Sequence, residues 1–306
     1  MCSTNSISRS LQVLSRIYTS GMATFMAIVA DQVLVYLTEG EDSISVISLV
    51  IEHGFIKLFM QILTEYSNPN YLHAAVRAAG NIATGTDEQT QSLIDHGILP
   101  VLEGLLDQSK EAVVREVCWL ISNITAGNQS QLEIVVKQNL EIFAKLNRSI
   151  IGNTSQKVRK EATWSVCNAL TGSSNEQLKK IVETGCIPAI CYMLYVQQDE
   201  KLLMTVLSAL RRVLDVGAEE YRSVTGRNVY EILIEECGGL EKFFCLKNHQ
   251  SSNIRFECYE ILGQHFADRK TSFNISSSTT SKKKSSPSPS GRNSPICIIF
   301  KRDDQD

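Results

Sequence analysis

Apolar residues along this chain recur at helical spacing, with no strand-like alternation. Ile98 to Leu106 reads as a short apolar helix, Glu111 to Ile124 as a longer one, and Gln129 to Lys137 as another short one ending at Asn139. The pattern then starts again. Val76-Arg-Ala-Ala-Gly-Asn81-Ile-Ala-Thr-Gly85, Val117-Cys-Trp119-Leu-Ile-Ser-Asn123-Ile-Thr-Ala-Gly127 and Ala162-Thr-Trp164-Ser-Val-Cys-Asn168-Ala-Leu-Thr-Gly172 are versions of one segment. Asn81 and Asn123 are 42 residues apart, and Asn123 and Asn168 are 45 apart. A fainter copy lies at Gln32 to Gly40, with Tyr36 placed 45 residues before Asn81. A second marker keeps the same beat: a helix-ending glycine followed by apolar residues, at Gly54, Gly97, Gly185 and Gly238. Asn139 fills the slot between Gly97 and Gly185, and Asn is the next-best residue after Gly for a left-handed turn. The punctuation therefore recurs after 43, 42, 46 and 53 residues.

Helices this short cannot bury their apolar faces alone, whereas stacked copies bury them against neighbours in a continuous core. A helical period of 42 to 46 falls in the armadillo/HEAT window. The expected fold is all-α, an armadillo-repeat right-handed superhelical solenoid. Its units are placed at about 10–53, 54–96, 97–138, 139–184 and 185–237, with a partial last unit at 238–268. Residues 1–9 are read as an N-terminal tail, 10–268 as the repeat domain, and 269–306 as a disordered tail rich in Ser, Lys and Pro.

Composition narrows the function classes. In 306 residues the apolar share is 43% and the charged share 21%, which suits a folded chain. Thirty basic and 33 acidic side chains leave a net charge of −3, so there is no broad positive field for nucleic acid. The most apolar stretch, Met22 to Leu37, contains Asp31 and Gln32, which argues against a membrane span. No secretory pattern opens the chain. Nine cysteines without framework spacing read as reduced thiols of the cytosol or nucleus. The five histidines form no metal motif. With no nucleophile–base pair and no phosphate-cradling glycine loop, the chain is read as non-enzymatic, with no cofactor.

The positive signal is the pattern Glu-x-x-Trp-x-x-x-Asn, found at Glu116, Trp119 and Asn123 and again at Glu161, Trp164 and Asn168. Residues four apart share a helical face, so repetition puts these side chains in a ladder along one side of the solenoid. An Asn amide can hold a peptide N–H and C=O whatever the peptide's sequence. Indole faces can sandwich the stem of a Lys or Arg and attract its charge, at roughly 0.5–2 kcal/mol per contact. The carboxylates favour cationic ligands. This reading expects the indoles and carboxamides to be open to solvent on the hollow side of the stack.

Arg77-Ala-Ala-Gly-Asn81-Ile-Ala-Thr-Gly-Thr86-Asp-Glu-Gln-Thr90-Gln and Glu116-Val-Cys-Trp119-Leu-Ile-Ser-Asn123-Ile-Thr-Ala-Gly-Asn128 resemble the sixth and seventh repeats of importin-α (karyopherin-α), the armadillo adaptor of nuclear import. Lys160-Glu-Ala-Thr-Trp164-Ser-Val-Cys-Asn168 resembles its eighth, Ile234 to Lys242 its tenth, and Leu11 to Ile17 the start of its fifth. The resemblance implies a non-enzymatic receptor for basic nuclear localisation signals, working in cytoplasm and nucleus through the family's minor site. Carried over, that site would comprise Asn81, Trp119, Asn123, Trp164 and Asn168, with Glu116 and Glu161 as acidic partners. Thr84 and Thr90 would line the basic-residue pocket, and Arg77 stands where neighbouring units have Trp. The implied partners are Lys/Arg-rich cargo peptides and, through the last repeats, an export receptor with RanGTP. Three features depart from the family: no basic importin-β-binding segment or first four repeats are present, Gln32 replaces the fifth-repeat Trp, and the tail is Lys/Ser-rich. Recruitment of importin-β is therefore not expected. Two other functions remain open on these residues: a decoy that binds cargo or the export factor without importin-β, and a general armadillo scaffold. Lys282-Lys283-Lys284 reads as solvated charge, with occupation of the acidic groove in cis as the alternative.

Overall fold

Glycines in the left-handed region set the architecture. Gly54, Gly97, Gly185 and Gly238 have φ of 78°, 79°, 87° and 78°, a backbone that side chains with a Cβ rarely adopt. Each turns the chain between two helices. At Gly54 the axes on either side are bent by 72°. The computed structural model describes residues 9, 11, 12, 43–152, 154–196 and 199–267, with the side chains at 43 and 223–225 excepted. The matches proposed for Leu11 to Ile17 and for Gln32 to Gly40, and the Lys282–Lys284 run, lie outside the described residues or nearly so.

The helices come in triplets. Counting from the described start, they are α1 (Ser43–Glu52), α2 (Phe55–Glu65) and α3 (Pro69–Ile82), then α4 (Asp87–Asp95), α5 (Ile98–Leu105) and α6 (Glu111–Thr125). The third triplet is α7 (Gln129–Gln138), α8 (Glu141–Ile151) and α9 (Gln156–Gly172), and the fourth is α10 (Asn175–Glu183), α11 (Cys186–Val196) and α12 (Glu200–Thr225). The last is α13 (Val229–Glu236), α14 (Gly239–Leu246) and α15 (Ser252–His265). Third helices pack side by side in the order α3, α6, α9, α12, α15, and second helices do the same from α2 through α14. The core runs continuously between these layers, with Phe55, Phe59, Phe143, Phe243 and Phe266 fully buried along it.

Asn139 departs from the expected turn. Its φ is −137° and ψ 44°, outside the left-handed region. Its side chain instead reaches back to the Glu103 carboxylate at 3.2 Å, and Leu140 continues directly into α8. A side-chain hydrogen bond to the preceding unit thus takes over the junction that glycine serves elsewhere.

First helices start with capping boxes at Thr86/Gln89, Asn128/Gln131 and Ser174/Gln177. In each, the glutamine Oε1 accepts the cap residue's N–H and the cap side chain accepts the glutamine's own N–H. Two of these glutamines also bind the unit before. Gln89 Nε2 donates to the Ile44 carbonyl at 2.9 Å, and Gln131 Nε2 donates to the Asp87 carbonyl at 2.6 Å. One side chain therefore closes a helix end and ties first helix to first helix. Gly85 and Gly127 leave room for it, because a Cβ there would lie 1.8 Å and 2.2 Å from the respective Oε1.

The fourth third-helix is unusually long, 26 residues against 14 to 17 in the preceding units. Asp199 caps its start, accepting from the N–H groups of Lys201 and Leu202. Gly226 ends it at φ 71°. The overhang accounts for the 53-residue interval between Gly185 and Gly238. Among the described residues, no single helix is long and apolar enough to cross a membrane.

Two outcomes follow. Gln131→Ala should cost about 1–2 kcal/mol in urea unfolding, since a buried residue loses both its cap bond and its inter-unit bond. Asp199→Ala should cost about 1 kcal/mol at neutral pH. Burial opposes ionisation of Asp199, but the Leu202 N–H and the Lys160 ammonium outweigh it and hold the carboxyl below its usual range. A depressed folded-state pKa contributes stability above the unfolded value of about 3.9 and loses it as pH falls further. The gap between wild type and Asp199→Ala should therefore shrink on acidification below about pH 4.

Candidate functional site

The pattern residues fall on α3, α6 and α9, three adjacent third helices, so the fold assembles them on one layer. Asn123 and Asn168 follow a rule that the sequence did not disclose. Asn123 Nδ2 donates to the Gly80 carbonyl at 3.3 Å, and Asn168 Nδ2 donates to the Ser122 carbonyl at 3.1 Å. Each acceptor is the residue immediately before the previous unit's Asn. These two amide nitrogens thus hold α3 to α6 and α6 to α9, and their amide oxygens remain for accepting a donor. Ser165 and Thr125 reinforce the α6–α9 seam, donating to the Cys118 carbonyl at 2.7 Å and the Ser165 carbonyl at 3.0 Å.

Solvent-open side chains were expected, and here the structure corrects the sequence reading. Asn81, Asn123 and Asn168 retain only 7%, 4% and 6% of their surface, and Trp119 only 4%. For Asn123 and Asn168 the cause is the seam just described. For Trp119 it is a cover on each side. Gly80 admits the indole so closely that a Cβ there would lie 2.2 Å from Cζ3. Arg77 lies over the ring, with its guanidinium carbon 5.4 Å from the ring centroid. Trp164 does remain partly exposed while packing on the core.

The two acidic residues differ as well. Glu116 is fully buried and meets Arg115 at 2.9 Å, Arg77 at 3.5 Å and His73 at 3.7 Å. A buried carboxylate persists only with such partners. Its charge is therefore largely committed within the protein. Glu161 is only partly buried. Burial pushes the Cys118 thiol up, and the nearby Glu161 carboxylate pushes it further, which places that carboxylate's field on α6. Thr84 is half-buried and donates to the Asn81 carbonyl at 2.7 Å. Thr90 is buried, its hydroxyl 3.4 Å from the Ala83 carbonyl. Both threonines fasten the turn that follows α3.

Sequence reasoning missed Gly80, Ser122, Arg115 and His73. The small residue before each ladder Asn was visible (Gly80, Ser122, Cys167), but its carbonyl role needs coordinates. The ladder's asparagines end at α9. At the corresponding place on α12 stands Arg212, which donates to Asn175 at 2.8 Å, beside Arg211, which pairs with Glu257 at 3.4 Å. The described residues contain no group of His, Cys, Asp and Glu able to hold a metal ion.

Residues 86–126 match the Armadillo/beta-catenin-like repeat, and residues 228–278 match the Atypical Arm repeat. Among curated proteins, Importin subunit alpha-8 of Arabidopsis thaliana is 32% identical over 231 residues, covering 75% of this chain and 51% of that protein. Importin subunit alpha-1a of Oryza sativa subsp. japonica is 36% identical over 243 residues, covering 77% of this chain and 44% of that protein. The chain thus spans about half the length of the curated relatives it matches. Among solved structures, a designed armadillo repeat protein in complex with a (KR)4 peptide superposes with a TM-score of 0.69 at 25% identity, covering 83% of this chain and 98% of that one.

Gly80→Ala should displace the Trp119 indole and cost roughly 1–3 kcal/mol by overpacking. Chemical unfolding followed by tryptophan emission would read both effects, and unchanged stability would show that the ring has slack. Taken together, the described units form an armadillo-repeat array, and along about three-quarters of its length the chain resembles the importin-α subunits.

Proposed function

We propose that this chain binds Lys/Arg-rich peptide segments of the nuclear-localisation-signal type across α6 and α9, as an importin-α-like adaptor in nuclear protein import. The observation that carries the reading is Arg77. A guanidinium already rests on the Trp119 indole and reaches the buried Glu116 carboxylate. An indole with a carboxylate three residues earlier on its helix is therefore a working cation seat in this protein. The same spacing recurs at Trp164 and Glu161, and both of those side chains keep solvent access. A ligand's Lys or Arg stem would lie on Trp164, with its charge toward Glu161. The Asn123 and Asn168 amide oxygens would accept peptide N–H groups. The likeness to importin-α subunits and to a designed array solved with a (KR)4 peptide supports the same ligand class.

Trp119 would contribute as part of a filled seat, with the chain's own arginine in the place of a ligand side chain. A peptide that engages this ring must first move Arg77. Shuttling between cytoplasm and nucleus, and use of the last units by an export receptor with RanGTP, belong to the same proposal.

Fluorescence titration with a Lys/Arg-rich signal peptide tests it. Trp164→Ala should weaken binding about two- to thirtyfold, the equivalent of roughly 0.5–2 kcal/mol. Trp119→Ala should weaken it less. Equal affinity for a control peptide with alanine in place of every Lys and Arg would reject the reading and leave a scaffold of other specificity.

A further inference from the structure

The last described third helix, α15, carries a face that its predecessors keep covered. In α3, α6, α9 and α12 the eighth residue is Val76, Cys118, Thr163 and Leu207, and all four are fully buried. In α6 this point lies on the seam with the next third helix, because the Cys118 carbonyl accepts the Ser165 hydroxyl of α9 at 2.7 Å. The eighth residue of α15 is Tyr259, and it is 54% exposed.

Its surroundings on α15 are open as well. Phe256, three residues earlier, is 63% exposed. Gly263, four residues later, is exposed, and a Cβ there would meet open space. Positions three and four apart share a helical face, so α15 presents an aromatic pair beside a stretch of bare backbone. Lys247, at the end of α14, extends this surface with its stem. Its ammonium lies 4.8 Å from the Tyr259 ring centroid and 5.6 Å from that of Phe244. Glu257 and Glu260 border the aromatic pair and share one guanidinium, that of Arg211, at 3.4 Å and 3.8 Å. Two carboxylates on one guanidinium leave that group with a negative charge in surplus.

We propose that the chain covers this face itself, with Ile296-Cys-Ile-Ile-Phe300 lying on Phe256 and Tyr259 and with Lys301-Arg302 set against Glu257 and Glu260. The apolar run is the longest uninterrupted one in residues 268–306. Left in water, its side chains would forgo what burial of apolar area contributes. The two basic residues follow directly on Phe300, so the segment matches the face in charge as well as in hydrophobicity. Reach is ample. Residues 268–295 can span up to about 90–100 Å, against about 21 Å for the whole of α15. Attachment to the same chain also gives the segment an effective concentration on the order of millimolar, which favours it over a second copy. The cover closes the seam of a terminal unit, which in a repeat array needs a cap on its outer face.

The test uses the full chain. Phe256→p-benzoylphenylalanine should, on irradiation, crosslink to residues 296–300 of the same chain, read by mass spectrometry in a mixture of ordinary and isotope-labelled protein. Independently of that probe, tetranitromethane should nitrate Tyr259 about tenfold more slowly in the unsubstituted chain than in one carrying Ile298→Asp and Ile299→Asp. That ratio corresponds to a face occupied about nine-tenths of the time. Lys301→Glu with Arg302→Glu should give an intermediate rate. Crosslinks that join labelled to unlabelled chains would seat a second copy on α15 and overturn the proposal. So would the absence of any crosslink to residues 296–300, or equal nitration of Tyr259 with and without the two aspartates.

Discussion

A helix presents its backbone carbonyls along its own axis, so two helices packed side by side have no main-chain bond to offer each other. In this chain the asparagine amides supply one. Asn123 and Asn168 each reach back across a seam to the carbonyl before the previous unit's Asn, and the capping glutamines do the same for the first helices. Apolar burial drives the stacking and has no direction. These amides fix the register, since a slip by one residue would leave a buried donor unpaired at a cost of about 1–3 kcal/mol. The rest of the site is arranged on that fixed register.

Around Trp119 the same register creates a closed ionic group. Glu116 is held by Arg77, Arg115 and His73 from two different units. Such a group contributes little net stability when intact, yet removing one member leaves a buried charge exposed to the low-dielectric interior. It also fixes Arg77 on the indole. The two rings differ in exposure: Trp119 is covered by the protein's own cation, and Trp164 on the next third helix is partly exposed.

The helical triplets, their period and four of the left-handed turns could be read from residue spacing, because glycine and helical amphipathicity act locally. Asn139 could not, because its conformation follows from a bond to Glu103, 36 residues away. The layer shared by Trp119, Asn123, Trp164 and Asn168 was also legible, since positions four apart share a helical face. The burial of Trp119, Asn123 and Asn168 was not. Face-sharing says which residues align, whereas exposure depends on Gly80 and Arg77 in the neighbouring unit.

The overhang of α12 reaches beyond its own unit. Its last turns touch α10 through Lys179–Glu220 and Asn175–Glu219, and touch α13 through Arg222–Glu231, while Asn228 donates to the Leu214 carbonyl from complete burial. Asp215, midway along it, meets His265 of α15 at 3.0 Å. In most repeat arrays each module can fray nearly independently, with only nearest-neighbour coupling to resist it. Here a single rod of about 39 Å carries bonds to its own module and to the next, so opening either of these two described modules breaks contacts that the other holds.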